Sequence, residues 1–319
     1  MSSDSNSVLL RYVPEVTYNV TPVDDTGWKT VRYVSETNTA SAETTNSNEI
    51  RRDRARSDMP KVNTAVTGGF NFEFSANSSD DFIEAVLGGT WAQDGVNLWD
   101  IVQQGTDYRS FTFEKEYGDL ATVEYLQIKG MRVGTFSLSL AFGSIVTGTI
   151  GLAGADATTA QVSLVGAGSV SPATTTEVMN ASSDVGSIKV DGVETTMCLT
   201  GLDLNIENNL RAINCIGRDT PKDQKWGTCD ITGSATIHLD NAAFDMYKSA
   251  LANNEASIEY TITDGTNSVM FFLPRVKLSG EAPQSGGLNQ DVTVTVNFTA
   301  LQDDAEGTPI RVRRTPNVV

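Results

Sequence analysis

The residues able to do chemistry are few, and their spacing suits none of the usual reactions. The single histidine, His238, falls on the polar side of an alternating stretch, where an imidazole is solvated. Cys198, Cys215 and Cys229 contain no CxxC pair and lie too far apart for a zinc site without other ligands. Any disulfide scheme leaves one thiol over, so they read as free thiols of a chain folded in a reducing cytosol. Asp80-Asp81 and Asp303-Asp304 are adjacent carboxylates of the kind that perform acid–base work or hold calcium. The first pair, however, sits where a helix N-terminus attracts negative charge, and the second precedes the C-terminal segment. Asp191-Gly192 and Asp264-Gly265 are turn dipeptides. Lys222 and Lys225 flank Trp226 as a single-strand-binding patch would, but Asp219 and Asp223 offset them. There is no GxSxG, no phosphate-binding glycine loop and no HExxH. The pattern predicts neither an enzyme nor a bound cofactor or metal.

Composition narrows the class further. Across 319 residues, 40 Asp and Glu against 23 Lys and Arg give a formal charge of −17. Such a surface repels nucleic acid and does not bind it by counterion release. No apolar run is long enough to cross a bilayer, and the opening MSSDSNSVLLRY lacks the basic and apolar regions of a secretory signal. Apolar residues at 39%, with abundant Gly, Thr, Ser and Asn, predict a β-rich soluble protein of two domains.

The elements that must position these side chains come in pairs. Thr67–Gly89 and Thr232–Asn254 align without a gap at an offset of 165 residues (232 − 67). Each opens on Thr-Gly and alternates apolar with polar: Phe70, Phe72 and Phe74 in one, Ala235, Ile237 and Leu239 in the other. Each runs on into a short helix. Ser78 or Ser79 caps the first and Asp240 or Asn241 the second, while Gly88-Gly89 and Asn253-Asn254 stop them. Phe82 and Val86 fall opposite Tyr247 and Leu251. Downstream, Gly130–Val133 compares with Leu273–Val276, and Val146–Leu152 with Val292–Phe298 at an offset of 146 (292 − 146). The chain reads as two copies of one β-plus-helix unit.

In order, residues 1–26 form a polar arm with a short strand at Val8–Tyr12, and 27–154 form the first domain, opening on a strand from Trp28 to Thr39. A loop over about 40–63 carries Glu49, Arg51, Arg52, Arg54 and Arg56 without a clean period, and suits an arm packed on a neighbouring subunit. Residues 155–196 are a linker or decorating insertion, with a small hairpin over 188–195. The second domain spans 197–302; its loop 208–227, with Arg211, Arg218, Lys222 and Lys225, takes the place of the Arg-rich loop in the first. Residues 303–319 form a basic arm holding Arg311, Arg313 and Arg314. These basic residues and Glu49 are the candidate contacts between subunits or rings.

Several stretches together, Ser47–Arg56, TGGFNFEFS, DDFIEAVLGGTW, NIENNLR and LPRV, resemble the major tail tube proteins of long-tailed, siphovirus-type bacteriophages over roughly residues 28–300. The resemblance implies a mainly β fold, a β-sandwich or partial barrel with one flanking helix, here duplicated in tandem. It also implies assembly into stacked rings that form a virion tail tube in the host cytoplasm. The expected partners are the protein itself, the tape-measure protein, the tail terminator and the distal tail or tip proteins, with double-stranded DNA passing through without specific binding. If six units make a ring and each chain brings two, three chains suffice: a trimer with pseudo-sixfold symmetry. Much of the negative charge is then expected to face the channel. The rival readings are a secreted or surface adhesin, the tube of a contractile injection system and a β-sandwich glycoside hydrolase.

Overall fold

The computed structural model describes residues 3–23, 27–95, 99–166 and 170–315. The first copy comprises β1 (Val8–Glu15), β2 (Lys29–Thr30), β3 (Ser35–Glu36), β4 (Thr39–Thr44), β5 (Lys61–Glu73), α1 (Asp80–Leu87), β6 (Ala92–Gln93), β7 (Asp100–Gln103), β8 (Ser110–Tyr117), β9 (Glu124–Ala141), β10 (Thr147–Ala153) and β11 (Asp156–Ala160). The second comprises β12 (Val185–Val190), β13 (Val193–Glu194), β14 (Leu199–Glu207), β15 (Arg211–Ile213), β16 (Asp223–Lys225), β17 (Asp230–His238), α2 (Asn241–Leu251), β18 (Glu255–Thr263), β19 (Ser268–Gly280), β20 (Thr293–Ala300) and β21 (Arg311–Arg314).

The two copies share their strand registers. Phe70 faces Ile150 and Phe72 faces Gly148 across β5–β10; Ala235 faces Val296 and Ile237 faces Val294 across β17–β20. Both offsets, 165 and 146, are those of the sequence alignment. The β8–β9 ladder breaks between Phe111 and Phe113, and β18–β19 breaks between Ala256 and Ile258, at a shared offset of 145 (256 − 111). That register corrects one alignment: Met131 matches Val276 and Arg132 matches Lys277, two residues away from the pairing expected from sequence. A shift of two leaves every side chain on the same face of a strand, so alternation alone does not distinguish the two alignments.

The repeat extends beyond both expected domain boundaries. β1 lies on β8 with Tyr12 opposite Phe113, and β12 lies on β18 with Val190 opposite Ile258. The segment expected as a small linker hairpin thus occupies the place of the N-terminal strand. β11 covers one edge of β9, Thr158 opposite Gln127, as β21 covers β19, Arg311 opposite Phe272. The expected basic arm is therefore the last strand of the second copy, with Ile310 and Val312 fully buried; its residues 316–319 lie outside the described residues. Likewise the segment after Leu152 packs along the first copy and buries Val165 and Met179.

β9 belongs to two layers. Its first part pairs with β8 and β11, its second with β10 and β14. Gly130, at φ +66°, stands between them, and a Cβ there would meet Ala155 at 2.8 Å. Between the layers lie Tyr12, Phe70, Phe82, Phe111 and Phe113, with neighbouring ring centroids 4.9–6.3 Å apart. α1 closes this core with Phe82, Ile83 and Val86; it starts without a side-chain cap bond from Ser79 and ends on Gly88 at φ +64°. In α2 the Asp240 carboxylate accepts the Ala243 N–H, and Asn253 takes the left-handed conformation at φ +52°.

The other layer is continuous through both copies. Its strand order is β4-β5-β10-β9-β14-β17-β20-β19, because β9 and β14 pair from Thr135↔Glu207 to Ala141↔Gly201. Phe70, Ile150, Phe136, Ile206 and Ile231 stand side by side on its buried face.

Two further expectations change. The strand read from Trp28 to Thr39 is only the fragments β2 and β3, because Trp28 turns inward onto Val13 and Val165. The aperiodic loop 40–63 is in large part a hairpin of β4 and β5, continued by Thr45 N–H to the Pro60 carbonyl and Ser47 N–H to the Asp58 carbonyl. Both faces of its outer part are solvated, so its sequence carries no alternation.

Candidate functional site: sheet edges, open face and two arms

The groups singled out for chemistry occupy structural places. Asp80 and Asp81 open α1. Asp80 is bonded to Arg314 of β21, while Asp81 accepts Lys29 at 2.5 Å and the Tyr12 hydroxyl at 2.9 Å. Burial pushes the Asp80 carboxyl up to about 6 against the opposing charge of Arg314. Asp303 accepts the N–H groups of Ala305 and Glu306 in a turn. Asp191 and Gly192 both have positive φ, as a tight hairpin turn requires. All three cysteines are free, and burial raises the Cys229 thiol to about 11, away from the reactive thiolate. Among the described residues no group of His, Cys, Asp and Glu is placed to hold a metal ion.

What the fold does present is a face. One register row crosses the eight strands through Ser35 (in β3, in line with β4), Asn71, Thr149, Ser137, Asn205, Thr232, Thr299 and Lys277. Cross-strand bonds lace it: Thr149 Oγ1 donates to Asn71 at 2.7 Å and Ser139 Oγ to Asp203 at 2.6 Å. The carboxylates pointing this way are Glu43, Glu73, Asp203, Glu207 and Asp230, with Glu255 at the β18 margin, a small part of the chain's 40, against Lys61, Arg275 and Lys277. The face is thus mildly acidic and mostly neutral hydroxyl and amide, with few of the chain's carboxylates on it.

The face also has two ends. Among the described residues β4 pairs with β5 alone, and β19 from Leu278 to Gly280 pairs with β20 alone. Unpaired N–H and C=O groups along such edges are templates for a further strand.

Two arms project from the layer. The second, residues 208–227, is folded against the first copy. Asn208, buried, donates its side-chain N–H to the Val86 carbonyl at 2.7 Å, and Gln224 donates to Gly154 at 2.8 Å. Asp223 pairs with Arg132 at 2.9 Å, and the Arg132 guanidinium lies over Tyr18 and Tyr108. Desolvation works to raise the Asp223 carboxyl, but the Lys225 hydrogen bond and the Arg132 charge prevail and hold it below its ordinary range. Trp226 stacks on Tyr108 at 4.3 Å and closes over Gly88, where a Cβ would meet its ring at 2.4 Å. The basic–aromatic cluster therefore joins the two copies and is not an open nucleic-acid patch.

Of the predicted contact residues, Glu49, Arg51, Arg52, Arg54 and Arg56 stand exposed at the tip of the first arm, with Arg51 held by Asp53 at 2.8 Å. Arg211, Arg218 and Lys222 are exposed on the second arm, while Lys225 is engaged with Asp223. Arg311 pairs with Glu306, and Arg314 with Asp80 and Asp100, over the Trp91 ring. Sequence reasoning missed Arg132, Asn208 and Tyr108. The available signal was a cation at Arg132 between the apolar Met131 and Val133.

The sequence model of one protein family, described as phage tail tube protein, matches residues 5–300. Comparison with curated proteins returned no match. A match over nearly the whole chain, on a duplicated β fold with a polar sheet face and no assembled chemistry among its described residues, places this protein in the phage tail tube family, as a structural component of the virion tail.

Proposed function

We propose that three copies of this chain close one ring of a siphovirus tail tube, each supplying two wedges: residues 8–160 and 185–314. These limits extend the domains read from sequence, 27–154 and 197–302, to include the flanking strands. The observation that carries the reading is the β9–β14 junction. Inside the chain the first copy already receives the second along β9; the free stretch of β19 is the counterpart of β9, and β4 with β3 is the counterpart of β14. Transferring the internal register sets Ser41 opposite Ser279 and Ala40 opposite Gly280 of the neighbouring protomer. Closure joins every edge, which removes the hazard of open strands. Three times eight strands, about 4.8 Å apart, give a barrel about 37 Å across before strand tilt widens it.

The function is then mechanical, without catalysis or cofactor. The open face lines the channel. Duplex DNA, with one negative charge per ~1.7 Å of axis, meets hydroxyls, amides and a few carboxylates, and slides through at genome ejection. Before that the channel encloses the tape-measure protein, while terminator and tip proteins cap the two ends. Assembly takes place in the host cytoplasm. The exposed arginines at the tip of the first arm, with Arg211, Arg218 and Lys222, are available for contacts between rings. Mass-resolved chromatography and negative-stain microscopy of the purified chain test the ring: threefold particles are expected, and a ring of six chains refutes it.

A further inference from the structure

The two arms have the same construction and opposite surroundings. In the second, Arg211 faces Lys225; in the first, Thr45 bonds Pro60, at offsets of 166 and 165 (211 − 45, 225 − 60). Asp58 is thus the counterpart of Asp223, and residues 42–62 the counterpart of 208–227. The second arm is packed on the first copy. The first lies in solvent, with Met59 and Val62 exposed.

The surface that would receive it is present in the second copy. Lys277 stands where Arg132 stands, and Asn253 takes the left-handed place of Gly88. Leu251 stands where Val86 stands, yet Leu251 is 71% exposed and Val86 1%. Val86 turns into the core of its own copy and meets the second arm through its carbonyl, which accepts Asn208; Leu251, at the same place, leaves its apolar side chain in solvent. Charge agrees as well: the tip of the second arm reaches the base of the first, Lys61 to Asp219 at 3.0 Å. The corresponding tip residue is Arg54, and the corresponding base carries the exposed Glu207 and Asp230.

We propose that residues 42–62 of one protomer fold over the second copy of its neighbour, with Asp58 on Lys277 and the arm covering Leu251, in the pose that residues 208–227 take within the chain. The inference rests on the ring reading and adds a contact that ring closure alone does not require. Asp58 is exposed, while Lys277 is half-buried, paired with Glu255 at 3.2 Å and donating to the Asn253 carbonyl at 3.1 Å, so a urea melt of each Lys277 variant accompanies the assembly measurement.

The test is a cross-link in the full-length protein with Cys198, Cys215 and Cys229 replaced by Ser. Asp58→Cys with Lys277→Cys, treated with a short bismaleimide after assembly, is expected to yield covalent dimers and trimers. Ser41→Cys with Ser279→Cys reports edge pairing independently. Cross-linking at the edge pair but not at 58/277 overturns the arm contact and leaves the ring standing. Failure of both pairs overturns both readings. In a second measurement Asp58→Lys and Lys277→Asp each lower ring yield at least about tenfold, and the double variant restores it to within about threefold. Equal loss in the double variant overturns the pairing.

Discussion

Arg132→Met removes the charge that holds the second arm on the first copy while keeping most of the side-chain volume. Arg132 is 5% exposed, ion-paired with Asp223 at 2.9 Å and placed over two tyrosine rings at 4.5 and 4.9 Å. Removing one member of a buried pair costs about 3–5 kcal/mol. Asp223 keeps Lys225 at 2.9 Å and some solvent, which reduces that to about 2 kcal/mol. Two lost cation–π contacts add about 0.5–1 kcal/mol each. The expected total is about 3 kcal/mol, read as a lowered urea midpoint. Hydrogen exchange should rise first in residues 208–227, since that segment is anchored through this contact. A double-mutant cycle with Asp223→Asn should return a coupling of about 1–2 kcal/mol. Because the Asp223 carboxyl is held below its ordinary value of 3.8, the clasp is fully present above that value and lost as pH falls through the native one. A loss under 1 kcal/mol with unchanged exchange in 208–227 refutes the clasp.

Other consequences are as direct. Gly233→Ala would place a Cβ 2.2 Å from the Asp203 carbonyl and from the Phe298 ring, so about 3 kcal/mol of stability should be lost in a thermal melt. Asp80, with a native value of about 6 against an ordinary 3.8, binds its proton more tightly when folded. Relative to Asp80→Asn, the protein should therefore lose up to about 3 kcal/mol as pH rises from 4 to 7, measured by urea unfolding. Deleting residues 44–58 should leave soluble, folded subunits that form no tubes under the electron microscope; normal tubes would remove any role of the first arm in assembly.

Where one face of a strand is buried, the sequence was legible. Phe70 and Phe72 against Ala235 and Ile237 gave the parity, and the two offsets of the alignment recur in the equivalent registers of β5–β10 and β17–β20. Both helices lie where the sequence put them, though only the second has its expected cap bond, from Asp240; the first is marked by its Gly88 stop. What stayed hidden had no local signature. The outer part of the first arm is solvated on both sides, and the second arm packs on distant residues of the first copy, so both read as loops. Trp28 is held by Val13 of β1 and by Val165, far along the chain, neither of which its own stretch of sequence reveals. Arg311–Arg314 looked like a basic tail because the apolar partners of Val312 belong to other strands, Phe271 and Val102. The Arg132–Asp223–Tyr108 clasp joins residues from three distant segments, and only a misplaced cation hinted at it.

A helical reconstruction of the assembled tube by electron cryomicroscopy measures the central claim most directly. It should resolve three polypeptides per ring, each contributing eight neighbouring strands to one closed barrel, with β4 of each chain beside β19 of the next. Six polypeptides per ring, or a barrel to which only one copy of each chain contributes strands, would contradict it.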